Sequence, residues 1–168
     1  VIEIFDNGEY SLSAQTSVDL TLGAVGAHSA SATLTCELAL TGDPGLLPDV
    51  IGGPYTTPET GHRYLLLGAS SWSEAHLKAQ LLGGTLVAIS SQAEQDFLVE
   101  RFVPLIPPGD GLWIGATDAD SEGNWTWTTG EPFVFEQWAA GEPNDANAGE
   151  DYAHMYSSGD WNDLPESG

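Results

Sequence analysis

Positive charge is almost absent from this sequence. Only three of its 168 residues are lysine or arginine, against 25 aspartates and glutamates, and the formal net charge is −22 at pH 7. The three cations, Arg63, Lys78 and Arg101, all precede residue 102. Because a chain this acidic repels phosphate and anionic lipid, nucleic acid and membrane surfaces are not expected as partners. Cations or neutral, hydroxyl-rich ligands are favoured instead.

Cysteine and long apolar runs are also scarce. Cys36 is the only cysteine, so no disulfide can form within the chain. It stands in an alternating apolar stretch, which is typical of a small buried side chain rather than of a reactive thiol. No run of about 18 apolar residues occurs, so membrane insertion is not expected.

The apolar pattern changes near residue 60. Before it, period-two stretches such as Val18 to Leu22 and Ala32 to Leu38 predict half-buried β-strands. The stretch from Gly52 to Gly61 is rich in glycine, proline and threonine, and is interpreted as a linker. We therefore expect a small all-β N-terminal segment with its linker over residues 1–60, and a second domain over residues 61–168.

Two helices are predicted in the second domain. Ser71 to Glu74 and Ser91 to Glu94 have the capping-box pattern, in which a serine hydroxyl and a glutamate three residues later bond the free amides of the first turn. We expect the first helix to end at Gly83-Gly84 and the second near residue 102. Short strands, separated by long polar loops of the kind that carry function, are then predicted at Leu112 to Ala116, Trp125 to Thr128 and Tyr152 to Tyr156.

Oxygen donors are concentrated in the loop GEPNDANAGED, residues 141–151. It contains four carboxylates and two asparagine amides but no cation, and Trp161-Asn162-Asp163 adds a further amide and acid. Oxygen donors without thiolates or clustered imidazoles favour a hard cation, and calcium takes about six to eight oxygens. The sequence therefore predicts a calcium site here, although the EF-hand pattern is absent.

An ordered set of motifs over residues 61–168 resembles the C-type lectin domain. The motifs are His62-Arg63-Tyr64, Trp72-Ser73-Glu74-Ala75, Gly83 to Ile89, Leu112-Trp113-Ile114-Gly115, Trp138, Gly141-Glu142-Pro143-Asn144, Glu150-Asp151 and Trp161-Asn162-Asp163. One such motif would be a weak signal, whereas the whole set in order is specific. The resemblance implies an α+β, C-type lectin-like fold with two helices, small antiparallel sheets and long calcium-binding loops.

The resemblance also implies the ligands of one principal and one auxiliary Ca²⁺. The principal ion and the sugar bound to it would be held by Glu142, Asn144, Glu150, Asn162 and Asp163. The auxiliary ion would be held by Asp118, Glu122, Asp145, Glu150 and Asp151. Considered alone, the acidic run from Asp118 to Gly123 is more typical of a solvated loop, and its metal role follows from its place in the family pattern. The resemblance further implies that the peptide bond before Pro143 is cis when calcium is bound.

The order of residues in EPN implies the type of sugar. A sugar hydroxyl on a bound ion can donate to a carboxylate and accept from an amide N–H. The EPN form resembles family members that bind the equatorial 3- and 4-hydroxyls of mannose, glucose or fucose-like sugars, whereas galactose-preferring members carry QPD. Affinity for one sugar is expected to be on the order of millimolar, so multivalent presentation is expected.

These features predict a calcium-dependent carbohydrate-binding module that is not an enzyme. Its partners would be glycans or glycoconjugates, and the resemblance implies an extracellular or cell-surface location, such as the tip of an adhesin. The alternative is a calcium-stabilised protein-binding or ice-binding adhesion module on the same fold. A glycosidase is disfavoured because carboxylates shared with a metal stay ionised and donate protons poorly.

Two features depart from the family pattern. Positions that usually hold cysteine are occupied by Ala79, Tyr152 and Glu166. The chain therefore resembles a disulfide-free, bacterial-like variant in which calcium and a tryptophan-rich core supply rigidity. The final strand that normally pairs with the first is not found before Gly168. Either Val1 to Phe5 takes that place, by circular permutation or from a neighbouring molecule, or residues 1–6 belong to the N-terminal β unit.

Overall fold

Two small antiparallel sheets and two helices form the part of the chain that the computed structural model describes, residues 1–4, 49–58, 60–146 and 149–167. The strands are β1 (Ile2–Ile4), β2 (Val50–Thr56), β3 (Arg63–Leu67), β4 (Gly84–Leu86), β5 (Gly111–Thr117), β6 (Thr126–Trp127), β7 (Tyr152–Tyr156) and β8 (Trp161–Leu164). The first sheet has the strand order β2-β3-β1-β4 and the second has the order β6-β5-β7-β8. The predicted α+β architecture is confirmed.

Both predicted helices are present. The helix α1 spans Trp72–Leu81 and α2 spans Gln92–Phe102, and a 3-10 turn follows at Val103–Leu105. The serine hydroxyl before each helix accepts a bond of 3.3 Å from the backbone N–H three residues later. Gly83 leaves the first helix with φ +73°, which glycine adopts without strain. Gly84 does not belong to the helix end, since it begins β4.

The second capping box differs from the prediction in its glutamate. The carboxylate of Glu94 accepts bonds from the Tyr64 hydroxyl at 2.7 Å and from the Ser90 amide and hydroxyl at 2.9 and 3.0 Å. The prediction that this glutamate returns to the amide of the helix start is therefore wrong. Because Glu94 is buried, its partners are those that lie inside the fold, and they attach α2 to β3.

The first strand lies in the interior of the first sheet. Ile2 pairs with Leu65 of β3 on one side and with Leu86 of β4 on the other, antiparallel to both. Its side chain is fully buried, and the Glu3 side chain beside it is 2% exposed. Of the two expectations for the start of the chain, pairing beside β3 is the one observed, and it occurs within this chain.

The predicted linker from Gly52 to Gly61 is wrong over residues 52–56. These residues belong to β2, in which Tyr55 pairs with Tyr64 at the edge of the first sheet. The register shifts on both sides of Gly52, which marks β-bulges. Glycine and proline are compatible with a bulged edge strand, so a composition typical of linkers also fits a strand here. Residues 5–48, with the strands predicted at 18–22 and 32–38 and with Cys36, lie outside the described residues.

Aromatic side chains fill the core beneath the long loops. The fully buried ring of Trp161 makes edge-on contacts with four other rings at centroid distances of 5.7 to 6.4 Å. These rings belong to Trp127, Phe133, Phe135 and Trp138. Trp127 and Trp161 are buried as predicted for core tryptophans, whereas Trp113, Trp125 and Trp138 are only half-buried. The core therefore lies directly below β8 and the loop that leads to residue 141.

Removing apolar volume from β1 tests its contribution to the core. We expect Ile2→Ala to lower the free energy of unfolding by about 2–5 kcal/mol, because the side chain is fully buried and leaves a cavity. Ile51→Ala is the matched control, since Ile51 is 49% exposed and its truncation should change stability by less than about 1 kcal/mol. Urea unfolding followed by tryptophan fluorescence measures both, and equal effects of the two substitutions would contradict the interior position of β1.

A pH dependence is expected from His154. Burial lowers the pKa of this imidazole to about 4, against a weaker opposing effect of Asp110, and its Nδ1 has no hydrogen-bond partner among the described residues. The unfolded chain therefore binds more protons between about pH 6.5 and pH 4, and the free energy of unfolding falls as the pH drops through this range.

The size of this effect can be measured by substitution. Between about pH 7.5 and 4.5, in EDTA, we expect the chain to lose about 2 kcal/mol more stability than the variant His154→Asn, since one pKa unit corresponds to about 1.4 kcal/mol. An NMR titration that returned an ordinary histidine pKa for His154 would refute the prediction independently of stability.

Candidate functional site

The EPN loop and strand β8 are joined through one buried carboxylate. Asp163 is 1% exposed. Its two oxygens accept bonds from the Asn144 amide at 3.1 and 3.0 Å, and one of them accepts a bond from the Asp145 amide at 2.7 Å. Next to it, the Trp161 carbonyl accepts a bond of 2.8 Å from the Ala139 amide. The backbone of β8 and the carboxylate of Asp163 therefore determine where the loop lies.

The far side of the loop is closed by two further acids. Asp145 has φ +44°, in the left-handed region, and one oxygen of its carboxylate accepts bonds from the Gly149 amide at 2.5 Å and the Glu150 amide at 3.2 Å. Glu150 in turn accepts a bond of 2.9 Å from the Ala146 amide. These reciprocal bonds between side chain and backbone hold residues 145 and 150 close together.

The side chains of Glu142 and Asn144 meet at the surface of the loop. The Asn144 side-chain amide donates to a carboxylate oxygen of Glu142, and the peptide bond between Glu142 and Pro143 is cis. Asn144 is exposed and Glu142 is half-buried. An acceptor and a donor are thus adjacent and accessible to a ligand.

Asn162 differs from its neighbours in being buried. It is 6% exposed, and its Nδ2 donates a bond of 2.7 Å to the carbonyl of Asp163. This bond uses the donor of the amide and not its oxygen, which is the atom that a cation would take. Of the five residues predicted for the principal ion, three lie in the loop of residues 141–151 and two lie in the adjacent strand β8.

Three of the acids predicted for the auxiliary ion form a compact group. Carboxylate oxygens of Asp118, Glu122 and Asp151 lie within 4.8 Å of one another, an arrangement that could hold a metal ion. One oxygen of Asp118 accepts a bond of 2.8 Å from the Gly123 amide. The other is buried and has no hydrogen-bond partner among the described residues. Asp145 and Glu150, the other two predicted ligands, are not members of this group.

Burial and neighbouring carboxylates raise the pKa values of two acids in this region. Burial raises the pKa of Asp118, and the carboxylates of Asp151 and Asp163 raise it further. The pKa of Glu142 is also raised, first by desolvation and then by Asp163 and Glu150. No lysine or arginine follows residue 101 in the sequence. An all-oxygen donor set with a buried unpartnered oxygen and uncompensated negative charge fits a calcium ion.

A second group of ligand-type side chains was not predicted from the sequence. Atoms of Glu3, His62 and Glu94 lie within 4.8 Å of one another, and His62 Nδ1 is 2.5 Å from Glu3 Oε1. Burial raises the pKa of Glu3 to about 7, and the carboxylates of Glu94 and Glu131 raise it further. The three residues are remote in sequence and meet only because β1 lies beside β3. The one sequence signal is a glutamate within an otherwise apolar strand.

Comparison with known proteins identifies the family of this fold. Residues 68–167 match the family model of the lectin C-type domain. The chain is 41% identical over 101 residues to the mouse low affinity immunoglobulin epsilon Fc receptor, and the match covers 60% of this chain and 29% of the receptor. The chain spans less than half the length of the first curated relatives that it matches.

Two solved structures are also similar. The first is the cow C-type carbohydrate-recognition domain of CD23 in the presence of GlcNAc2Man3 oligosaccharide, with a TM-score of 0.54, 41% identity and coverage of 60% of this chain and 74% of that one. The second is a calcium-independent type II antifreeze protein, with a TM-score of 0.51, 27% identity and coverage of 58% and 72%.

The family determines the general class of activity. The relatives include a hepatic lectin of Gallus gallus, and in the described ranges no helix is both long and apolar enough to cross a bilayer. Proteins of this family generally bind carbohydrate and are not enzymes, in agreement with the prediction of a domain without enzymatic activity. From the match over residues 68–167 and the shared fold, we conclude that the chain belongs to the C-type lectin domain family.

Proposed function

We propose that this chain binds carbohydrate in a calcium-dependent manner, through neighbouring hydroxyls of mannose-, glucose- or fucose-type sugars. The observation that carries the proposal is the cluster of oxygen donors around Asp163, in which a buried carboxylate fixes a loop that presents the Glu142 and Asn144 side chains together. No lysine or arginine follows residue 101 in the sequence, so none from this part of the chain neutralises the cluster. A hard divalent ion supplies that charge.

The principal ion would be held by oxygens of five side chains, Glu142, Asn144, Glu150, Asn162 and Asp163. When bound, calcium supplies open coordination positions for two adjacent hydroxyl groups. Each hydroxyl would engage one acid and one amide, with the Glu142 carboxylate accepting a hydrogen bond and the Asn144 amide donating one. The bond that now joins these two side chains supports this assignment, because it places an acceptor and a donor at neighbouring positions.

An auxiliary ion would be held by Asp118, Glu122, Asp145, Glu150 and Asp151. The compact group of Asp118, Glu122 and Asp151 supports this part of the proposal, and so does the unpartnered buried oxygen of Asp118. Glu150 belongs to both sets, so the two sites share a ligand. Binding at one site therefore orders a residue of the other.

The biological partners that we propose are glycans or glycoconjugates at the cell surface or outside the cell, recognised by an adhesin or a surface receptor. The similar cow domain was solved in the presence of an oligosaccharide that contains mannose. Because a single sugar makes few contacts, its affinity should be on the order of millimolar, and several copies acting together would raise it.

Retention on mannose-coated beads tests the proposal. We expect the chain to bind in calcium, to be released by EDTA, and to be eluted by free mannose but not by free galactose. Elution by both sugars alike would contradict the mannose-type assignment. Loss of binding in EDTA together with indifference to every sugar would contradict carbohydrate binding while leaving the calcium site intact.

Exchange of donor and acceptor should change the preferred sugar. In the double variant Glu142→Gln and Asn144→Asp the positions of the carboxylate and the amide are reversed, while the number of oxygens available to the ion is kept. We expect mannose affinity to fall by about tenfold or more, which corresponds to about 1.4 kcal/mol, and galactose retention to appear. The matched control is Glu136→Gln, because Glu136 is an exposed acid outside both predicted sites, and it should leave the preference unchanged.

The auxiliary ion can be tested separately by counting bound calcium. We expect about two ions per chain in equilibrium dialysis and about one in Asp118→Asn, since the substitution removes the charge of a buried ligand. Asp120→Asn is the matched control, because Asp120 is exposed in the same loop and is not a predicted ligand. If both variants bound as many ions as the unsubstituted chain, the auxiliary site would be refuted.

A second candidate function is an adhesion module that binds protein or ice and uses calcium for loop order alone. The similar antifreeze protein, which is described as calcium-independent, supports the ice-binding part of this candidate and not its use of calcium. The two candidates differ in what a sugar does to the loop. In calcium, mannose should shift the NMR signals of residues 142–146 and 161–163 if the chain is a lectin, and should leave them unchanged if it is not.

A further inference from the structure

The buried side chain of Gln95 connects α2 to the strand that carries Asn162 and Asp163. Gln95 is 2% exposed. Its Oε1 accepts a bond of 3.0 Å from the Trp161 indole N–H, and its Nε2 donates a bond of 2.6 Å to the Gly159 carbonyl. The same nitrogen lies 3.1 Å from the sulfur of Met155. One amide thus contacts β7, the turn that follows it, and the first residue of β8.

Both ends of this amide are used, so its orientation is fixed. Turning the amide over would place a donor against the indole N–H and an acceptor against the Gly159 carbonyl, and both bonds would be lost. Gly159 itself lies close to α2, since an added Cβ would lie 3.0 Å from the Val99 side chain and 3.3 Å from Gln95 Nε2. The turn between β7 and β8 therefore packs directly on the helix and cannot slide along it without breaking these contacts.

Trp161 connects the Gln95 side chain to the candidate site. Its amide donates a bond of 2.7 Å to the Gln137 carbonyl and its carbonyl accepts one of 2.8 Å from the Ala139 amide, so the residue joins β8 to the loop that leads to Glu142. The next two residues along the strand are Asn162 and Asp163. A shift of the indole therefore moves both the strand and the loop.

We propose that Gln95 is a positioning residue for the calcium and sugar site, and that it acts through the Trp161 indole to set the position of β8 relative to the EPN loop. A buried amide with both bonds satisfied is directional, whereas an apolar side chain of the same size would fill the space without fixing the orientation of the indole. Small displacements of ligand side chains weaken a metal site, since its geometry must be held closely. The inference rests on the proposed function.

The test uses the whole chain and two substitutions. Gln95→Met keeps the volume and removes both hydrogen bonds, and Trp161→Phe keeps an aromatic ring and removes the indole N–H. We expect each to weaken calcium binding by about tenfold in titration calorimetry. If Gln95 acts through the indole, the double variant should be no weaker than the weaker single variant, because residues that act through one contact are not additive.

A merely structural role gives a different result. In that case Gln95→Met would lower the melting temperature while calcium affinity stayed within about twofold of the unsubstituted chain, and this outcome would overturn the inference. Additive losses in the double variant would also overturn it, since they would place the effect of Gln95 elsewhere than the indole. Gln92→Met is the matched control, because Gln92 is exposed on the same helix and should leave affinity unchanged.

A spectroscopic measurement applies even if Trp161→Phe does not fold. The indole N–H signal of Trp161 should move on calcium addition in the unsubstituted chain. In Gln95→Met it should start from a different position, and a larger concentration of calcium should be needed to move it. An unaltered signal in Gln95→Met would contradict the inference. Failure of the unsubstituted chain to bind calcium would instead refute the proposed function, so the two failures can be told apart.

Discussion

Repulsion between carboxylates is the main constraint on the structure of the acidic loops around Asp163. Asp163 is buried beside loops that carry several more acids, and the nearest lysine or arginine in sequence is Arg101. The backbone partly offsets this charge, because amide N–H groups of residues 144, 145, 146, 149 and 150 are directed at carboxylates. Hydrogen bonds from neutral amides stabilise the negative charges without removing them. The loop is thus held in shape while its net charge still favours a cation.

The aromatic core below these loops holds strand β8 in place. Trp161 is surrounded by aromatic rings and is held by Gln95 from the side of α2. No disulfide can form within a chain that has one cysteine, so packing and hydrogen bonds must hold β8 in its place. Tyr152 packs its ring against Trp72 with centroids 4.5 Å apart.

Local sequence signals predicted the helices well and the first sheet poorly. Ser71 and Ser91 cap helices as expected, because a cap depends only on residues within one turn. Residues 52–56 of the strand Val50–Thr56 were interpreted as part of a linker, because glycine and proline have the same local preference in a bulged edge strand as in a loop. The pattern does not distinguish the two expectations for β1, since pairing between residues 59 to 63 positions apart leaves no local signal.

The sequence predicted which residues would form the candidate site, and that assignment stays a prediction, whereas the contacts between these residues were not predicted. The family pattern implied that Glu142, Asn144 and Asp163 share a site and assigned their roles, and the structure brings these three residues together. That Asp163 binds the backbone of the loop, or that Asp145 takes a left-handed conformation, depends on distances that no motif contains. The group of Glu3, His62 and Glu94 was missed for the same reason, because it is assembled by strand pairing.

The interior position of β1 has a consequence for the order of folding. Ile2 must meet Leu65 and Leu86, at separations of 63 and 84 residues, before the sheet has a continuous set of hydrogen bonds. Closing such long loops requires an entropic loss before any stabilising contact is made, and domains dominated by distant pairings fold slowly. The helices and the second sheet, in which neighbouring strands are closer in sequence, can form earlier. During synthesis β1 would emerge before its partner strands β3 and β4, and it would thus be among the last elements to be incorporated.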